Sequence, residues 1–248
     1  MAADPLHQFY IVEHGHFNLL GTTIQVTNQA VWMVGATLFM AILFIMGVRK
    51  KAIVPSRLQS VVELVYEFIR GTVEETAGTK ALKYMPVIFT VFLFVTVLNV
   101  VGMIPHSYTS TSQIFITGFM ALCIFIAVVL IGFATHGLKF LSMFIPKDVP
   151  ILIAPMMIVL ELISFFIRPF TLSIRLAANM MAGHIAMKVF ASFIISILSL
   201  GGIWAIGSVI PLAALLALTG LELFVAFLQA YIFTLISCVY LNEALHLH

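Results

Sequence analysis

Charged residues are scarce in this sequence. They make up 9% of the 248 residues, whereas hydrophobic residues make up 62% and the mean hydropathy is +1.16. A soluble domain carries about 25% charged residues, so this chain has too few polar groups to cover a surface in water. We therefore predict a membrane protein whose solvent is lipid. The net charge of +2 is too small and too dispersed to indicate a nucleic-acid partner.

Several sequence motifs are also missing. The two cysteines, Cys123 and Cys238, lie in apolar stretches without a C-x-x-C pair, which indicates inert buried thiols. Residues 1–18 lack the basic and apolar regions of a cleaved signal, so we expect insertion through internal spans. The chain contains neither a G-x-x-x-x-G-K-[ST] nucleotide motif nor an H-E-x-x-H metal motif, and we expect no cofactor and no metal.

Three apolar runs have the length of one membrane span, about 20 residues. The first span is predicted at 30–48, and the other two form a helical hairpin at 85–134. The basic run at 49–51 places that end of the first span in the cytoplasm. The N-terminal segment 1–29 is then expected to face the outside.

A different pattern occupies residues 57–76. Apolar residues recur there at helical spacing, with charged residues on the other side. This pattern favours an amphipathic interfacial helix that lies on the membrane surface or against partner subunits. The alternative is an amphipathic helix on the soluble side.

The C-terminal half, 151–248, contains two overlong apolar runs separated by Gly201-Gly202. The first run, 151–200, corresponds to roughly 75 Å of helix, against a hydrocarbon core of about 30 Å. Either it breaks into two spans near Pro169 or it lies steeply inclined, and we favour a long, steeply tilted helical hairpin. The predicted fold is thus an all-α membrane protein with about five membrane-embedded helices plus the interfacial helix. Five crossings from an outside start place the C-terminus in the cytoplasm.

Polar residues interrupt the long hairpin, and ionisable groups within a membrane mark ion pathways or paired structural sites. The candidates are Glu161, Arg168, Arg175, Asn179, His184, Lys188, Glu222 and Gln229. Spacings of seven and four place the first four on one helical stripe, whereas His184 and Lys188 lie on the opposite face.

The turn between the two long runs suggests which residues pair across the hairpin. The pairs Arg175–Gln229 and His184–Glu222 have sequence midpoints at residues 202 and 203, at the Gly201-Gly202 turn. One antiparallel register therefore accommodates both pairs.

These residues differ in the chemistry they can perform. A guanidinium stays protonated at any physiological pH, so Arg175 can hold a carboxylate ionised and block proton leakage but cannot relay protons. His184 and Glu222 can bind and release protons along a hydrated path. Glu161 could serve a second aqueous path. The alternative is that all of these groups, including Arg168 and Lys188, pair only to stabilise helix packing.

The segment Arg175-Leu-Ala-Ala-Asn179-Met-Met-Ala-Gly183-His184, with Leu228-Gln229-Ala230-Tyr231, resembles the a subunit of F-type ATP synthases. The resemblance covers nearly the whole chain. It implies that Arg175 faces the essential carboxylate of the rotating c-ring, with Asn179 and Gln229 close to the same interface. It also assigns His184 and Glu222 to a half-channel open to the outside, and Glu161 to one open to the cytoplasm.

The same resemblance implies a non-catalytic, proton-translocating stator subunit in the bacterial inner membrane, with the mitochondrial inner membrane as the alternative. Its partners would be c-ring subunits, b-type peripheral stalk subunits, the rest of the ATP synthase and lipid. Many bacterial members have Glu at the position of His184 and His at that of Glu222. The exchange found here is typical of alphaproteobacterial or mitochondrial proteins.

Two other functions remain as alternatives. An ion-coupled secondary transporter would also bury Arg, His and Glu, but should show inverted repeats and helices interrupted near mid-membrane. We find neither convincing repeats nor paired Gly/Pro breaks. A purely structural assembly subunit gives no reason for Arg175.

Overall fold

Helices make up most of the described chain. The computed structural model describes residues 13–19, 22–49, 55–104, 107–144 and 153–246. Residues 1–12 and the basic pair Lys50-Lys51, on which part of the predicted orientation depends, lie outside the described residues. The α-helices are α1 (Asn28–Arg49), α2 (Arg57–Ala77), α3 (Met85–Gly102), α4 (Ile114–His136), α5 (Ala154–Ser199) and α6 (Val209–Leu245).

Short 3₁₀ helices lie between several of these elements, at Thr79–Tyr84, Ser110–Ser112, Gly137–Phe144 and Gly202–Ser208. Within the described ranges, five helical segments are long and apolar enough to cross a membrane. They comprise α1, α3 with its preceding 3₁₀ helix, α4, α5 and α6. The predicted helical membrane fold is therefore confirmed, and the chain is an integral membrane protein.

The fifth helix is continuous through Pro169. Its 46 residues correspond to roughly 69 Å at 1.5 Å per residue, more than twice the hydrocarbon thickness of about 30 Å. Of the two arrangements that the sequence left open, the single long helix is therefore the observed one. Its steep tilt stays a prediction.

The N-terminal segment contains a β-hairpin that the sequence analysis did not predict. Strands β1 (Glu13–Leu19) and β2 (Thr22–Thr27) pair antiparallel, and α1 follows β2 directly. The second strand reads Thr-Thr-Ile-Gln-Val-Thr, and β-branched residues of this kind favour an extended backbone.

Helix α2 has the predicted amphipathic character. Its first turn is capped by Ser56, whose hydroxyl accepts a hydrogen bond from the Gln59 amide at 3.4 Å. One face is buried at Val62, Ile69 and Val73, while charged residues lie on another. Its place at the membrane surface stays a prediction.

The chain divides into two compact units, each built from several helices. The first comprises the described parts of Met1–Ala41, Phe94–Ile114 and Leu176–Ala230, and the second those of Ile42–Leu93, Phe115–Arg175 and Tyr231–His248. Both α5 and α6 contribute to each unit, because the division falls within these long helices.

The second unit has an apolar core. Its centre is formed by Val128, Phe140, Phe165 and Ala244. Gly132 lets the Phe140 ring approach α4, since a Cβ at that position would lie 2.3 Å from a ring carbon.

The first unit buries many polar side chains. They lie on α3, on the segment after it, and on the parts of α5 and α6 that belong to this unit: Asn99, Ser107, Thr109, Ser110, Thr111, Ser112, His184, Glu222 and Gln229. The turn between α5 and α6 contains Gly201 at φ +68° and Gly202 at φ +59°. Glycine adopts this left-handed backbone without strain, so the turn forms where the two glycines stand.

Candidate functional site

The pair His184–Glu222 is central to the polar region of the first unit. His184 Nε2 lies 3.6 Å from Glu222 Oε1, with the two side chains only 6% and 5% exposed. Gly183 makes room for this approach, because a Cβ there would lie 2.7 Å from the same carboxylate oxygen. The structure thus brings together the two residues that the hairpin register paired. Their role in proton transfer stays a prediction.

A second polar contact joins α5 to α6 in this unit. Asn179 Nδ2 donates to Gln229 Oε1 at 3.2 Å. Asn99 of α3 also contacts α6, and its Nδ2 donates to the carbonyl oxygen of Ala226 at 3.0 Å. Asn99 was missed in the sequence, where a single asparagine in an apolar helix gives no periodic signal.

Thr109 is the second residue that the sequence analysis missed at this site. Its Oγ1 lies 3.1 Å from His184 Nε2 and 3.1 Å from the carbonyl oxygen of Gly102. The signal that could have found it is the hydroxyl-rich stretch Ser107–Ser112, which is polar although it joins two membrane helices.

Tyr108, in the same stretch, is also buried. Burial raises the pKa of its phenol, and the hydrogen bond from Gln113 acts in the opposite direction. The Gln113 Nε2 donates to the phenolic oxygen at 2.9 Å. The phenol therefore stays neutral at physiological pH.

Several buried polar atoms in the first unit have no hydrogen-bond partner within the described part of the chain. They are Asn99 Oδ1, Ser110 Oγ, Thr111 Oγ1, both carboxylate oxygens of Glu222, and Gln229 Nε2. Buried polar groups are normally satisfied by protein or by ordered water. A concentration of such atoms around a histidine and a carboxylate is therefore typical of a hydrated interior.

The second unit holds a separate charged cluster. Arg168 Nη2 lies 3.8 Å from Glu161 Oε1, and its Nη1 donates to Glu243 Oε2. The guanidinium also lies 5.5 Å from the centre of the Tyr240 ring, within the range of a cation–π contact. Glu161 and Arg168 were candidates from sequence, whereas Glu243 was missed because it follows the apolar run.

Arg175 also belongs to the second unit, on α5. Its side chain is exposed, and among the residues that the structure describes no carboxylate lies within 4 Å of it. Its predicted neighbour Gln229 belongs to the first unit, so that pairing stays a prediction. Lys188 is half-buried one turn after His184, and its functional role is likewise untested.

Comparisons with known proteins agree on one family. The family described as ATP synthase A chain matches residues 30–242. The chain is 46% identical to ATP synthase subunit a of Rhodopseudomonas palustris (strain TIE-1), over 99% of each chain. It is 44% identical to the subunit of the same name from Mesorhizobium japonicum, over 98% of this chain and 96% of that one. The Bartonella bacilliformis relative of that name is 42% identical, over 99% and 97%.

The charged cluster of the second unit predicts a stability effect. Arg168→Leu leaves two neighbouring carboxylates without their shared cation, which we expect to destabilise the protein by about 1–3 kcal/mol. The measurement is the thermal unfolding midpoint in detergent. The double variant Arg168→Leu/Glu243→Gln should recover part of the lost stability, because it removes one of the two uncompensated carboxylate charges. An unchanged midpoint in Arg168→Leu would contradict the importance of this cluster.

Proposed function

The chain belongs to the ATP synthase A chain family, and we propose that its intramembrane polar residues form the proton path through the membrane sector of that complex. It is an integral membrane protein, and its described part contains five helices long enough to span a membrane. Its function is to translocate protons as part of an ATP synthase. The residues that do so, and the subunits they meet, are the subject of the proposal.

The observation that carries the proposal is the exposed position of Arg175 on a membrane helix. A charged side chain at the centre of such a helix is unfavourable by about 2.5–3.5 kcal/mol on insertion scales and is therefore normally paired or hydrated. Because no carboxylate of the described chain lies within 4 Å, we assign the partner to another subunit. The partner is a carboxylate on the c-ring.

The chemistry of arginine fits this role. Its guanidinium remains charged while a ring carboxylate gains and loses a proton. The positive charge favours the ionised carboxylate that passes in front of it, so the carboxylate releases its proton on one side of Arg175 and takes up another on the opposite side. The same charge repels protons that would otherwise leak directly between the two sides.

The buried polar residues of the first unit form the half-channel open to the outside. His184 and Glu222 lie 3.6 Å apart and exchange protons there. Asn179 and Gln229, joined by a hydrogen bond, lie towards the c-ring interface. Among the described residues, neither carboxylate oxygen of Glu222 has a hydrogen-bond partner, which supports a hydrated path rather than a dry packing contact.

Glu161 belongs to the half-channel open to the cytoplasm. Its side chain is 46% exposed and lies beside Arg168. A partly exposed carboxylate beside a charged partner is suited to contact water at the cytoplasmic end of the half-channel. Arg168 and Lys188 are secondary candidates that stabilise the negative charges near each path.

The remaining parts of the proposal concern assembly. The N-terminus lies outside and the C-terminus in the cytoplasm, in the bacterial inner membrane, with b-type peripheral stalk subunits as further partners. Each proton that moves down 100 mV contributes about 2.3 kcal/mol, so several protons per ATP are needed to drive synthesis elsewhere in the complex.

A secondary transporter is not favoured. Transporter sites are typically formed by discontinuous helices near the membrane centre, whereas α5 and α6 are continuous over 46 and 37 residues. The family match over residues 30–242 agrees with this conclusion.

Substitution of Arg175 tests the proposal. We expect Arg175→Ala and Arg175→Lys to abolish ATP-driven proton pumping in membrane vesicles while the complex still assembles, because lysine cannot reproduce the planar bidentate contact. Arg57→Ala, at an exposed arginine of α2, is the matched control and should pump normally. Normal coupled pumping in both Arg175 variants would refute the proposal.

Exchange of His184 and Glu222 tests whether they act as a pair. The double variant His184→Glu/Glu222→His should pump better than either single substitution, because it restores one imidazole and one carboxylate in contact. Initial pumping rates, normalised to assembled complex, give the coupling between the two positions. Equal losses in all three variants would argue against direct pairing.

A further inference from the structure

We infer that Thr109 is a positioning residue for His184: its hydroxyl hydrogen-bonds Nε2 and orients the imidazole for proton transfer to Glu222. This inference rests on the proposed function of the His184–Glu222 pair and extends it to the hydroxyl-rich stretch before α4. It is carried by the hydrogen-bond geometry around the Thr109 hydroxyl.

Thr109 is fixed in place by the end of α3. Its side chain is 1% exposed. A Cβ on Gly102 would lie 2.9 Å from Thr109 Cγ2 and 3.3 Å from its Cα, so only glycine allows this approach. The preceding Ser107 anchors the same stretch through Oγ contacts of 2.7 Å to the carbonyl oxygens of Val101 and Ile104.

The Thr109 hydroxyl has one hydrogen and two neighbours that could accept it. The carbonyl oxygen of Gly102 lies at 3.1 Å and His184 Nε2 also lies at 3.1 Å. The carbonyl can only accept. When Thr109 donates to it, the hydroxyl oxygen must accept from His184, which places a hydrogen on Nε2.

This nitrogen is the one that faces the carboxylate. His184 Nε2 lies 3.6 Å from Glu222 Oε1. An imidazolium can then transfer its Nε2 proton to the Glu222 carboxylate, which becomes a neutral carboxylic acid. The neutral imidazole keeps its other hydrogen on Nδ1, so the proton and the charge balance.

The same hydroxyl also fits the state after transfer. Bare Nε2 is an acceptor, and the Thr109 hydroxyl can rotate from Gly102 to donate to it. The Gly102 carbonyl retains a neighbour in this state, because Ser107 Oγ lies 3.1 Å from it. Thr109 thus offers a matching hydrogen-bond partner to both protonation states of His184.

Two further buried hydroxyls lie directly after Thr109 in the chain, where they could hold water next to it. Ser110 Oγ and Thr111 Oγ1 follow it directly in the chain, are buried, and have no protein hydrogen-bond partner. Hydroxyls in that position are normally satisfied by internal water.

The test compares Thr109→Val, which keeps the β-branched shape but removes the hydroxyl, with Thr109→Ser, which keeps the hydroxyl. In the assembled complex we expect Thr109→Val to lower the rate of ATP-driven proton pumping roughly 10- to 100-fold, the range found when a partner that orients a histidine is removed. Thr109→Ser should restore at least half of the wild-type rate. Thr135→Val is the matched control, because the exposed Thr135 hydroxyl only donates to the carbonyl oxygen of Ile131 in its own helix.

The second readout is the protonation state of His184 itself. Nitrogen chemical shifts from solid-state NMR on the ¹⁵N-histidine-labelled complex, assigned by difference from His184→Gln, report which ring nitrogen carries hydrogen. Thr109→Val should shift this distribution, and Thr109→Ser should not. A role restricted to packing would leave it unchanged in both.

Wild-type pumping and an unchanged His184 signal in Thr109→Val would overturn the inference. If Thr109→Val reduces assembly of the complex, Thr109→Ala is measured instead, with the same expected outcomes. All pumping rates are normalised to the amount of assembled complex. Arg175→Ala is measured in parallel. If pumping is blocked in Arg175→Ala but normal in Thr109→Val, only the role inferred for Thr109 is refuted. If pumping is normal in Arg175→Ala, the proposed function itself is refuted.

Discussion

Hydrocarbon offers no hydrogen bonds, and this constraint governs where every polar group of the chain can lie. The backbone satisfies it by forming helices, and polar side chains satisfy it by contact with one another or with enclosed water. In the first unit, Asn99 donates to a backbone carbonyl of α6, Asn179 to Gln229, and Thr109 lies beside His184. The polar residues of three helices therefore meet within one unit.

Small residues allow these contacts to form. Gly183 leaves space for the Glu222 carboxylate, and Gly102 leaves space for Thr109. The turn at Gly201 and Gly202, both with positive φ, connects α5 to α6 and sets the register between these two helices. A shift of that register by one residue would rotate each side chain by about 100° around its helix and separate the polar pairs.

The contrast between the two arginines that α5 contributes to the second unit supports different tasks for them. Arg168 is balanced by Glu161 and Glu243 within the chain, so it can contribute to stability without another subunit. Arg175 has no such neighbour within 4 Å among the described residues. It is this difference, rather than the presence of arginine in a membrane helix, that points to a partner outside the chain.

Much of the fold could be predicted from composition and run length, because membrane thickness dictates helix length. The register of the His184–Glu222 contact followed from the glycine turn, since an antiparallel pair is symmetric about its connection.

Thr109 and Asn99 could not be predicted in the same way. Their contacts depend on how α3 packs against α5 and α6, which no local pattern specifies. The β-hairpin was missed because it precedes the apolar runs, and Glu243 because charged chain ends are usually solvated.

The central claim is that the buried polar groups of the first unit line a path filled with water from the outside. The most direct measurement is the reaction of a cysteine at Ser110 with a small, membrane-impermeant thiol reagent, in a chain whose Cys123 and Cys238 have been replaced by serine and alanine. The account predicts that Ser110→Cys reacts from the outside much faster than Phe119→Cys, an exposed apolar position of α4. Equal, slow reaction at both positions would contradict a hydrated path.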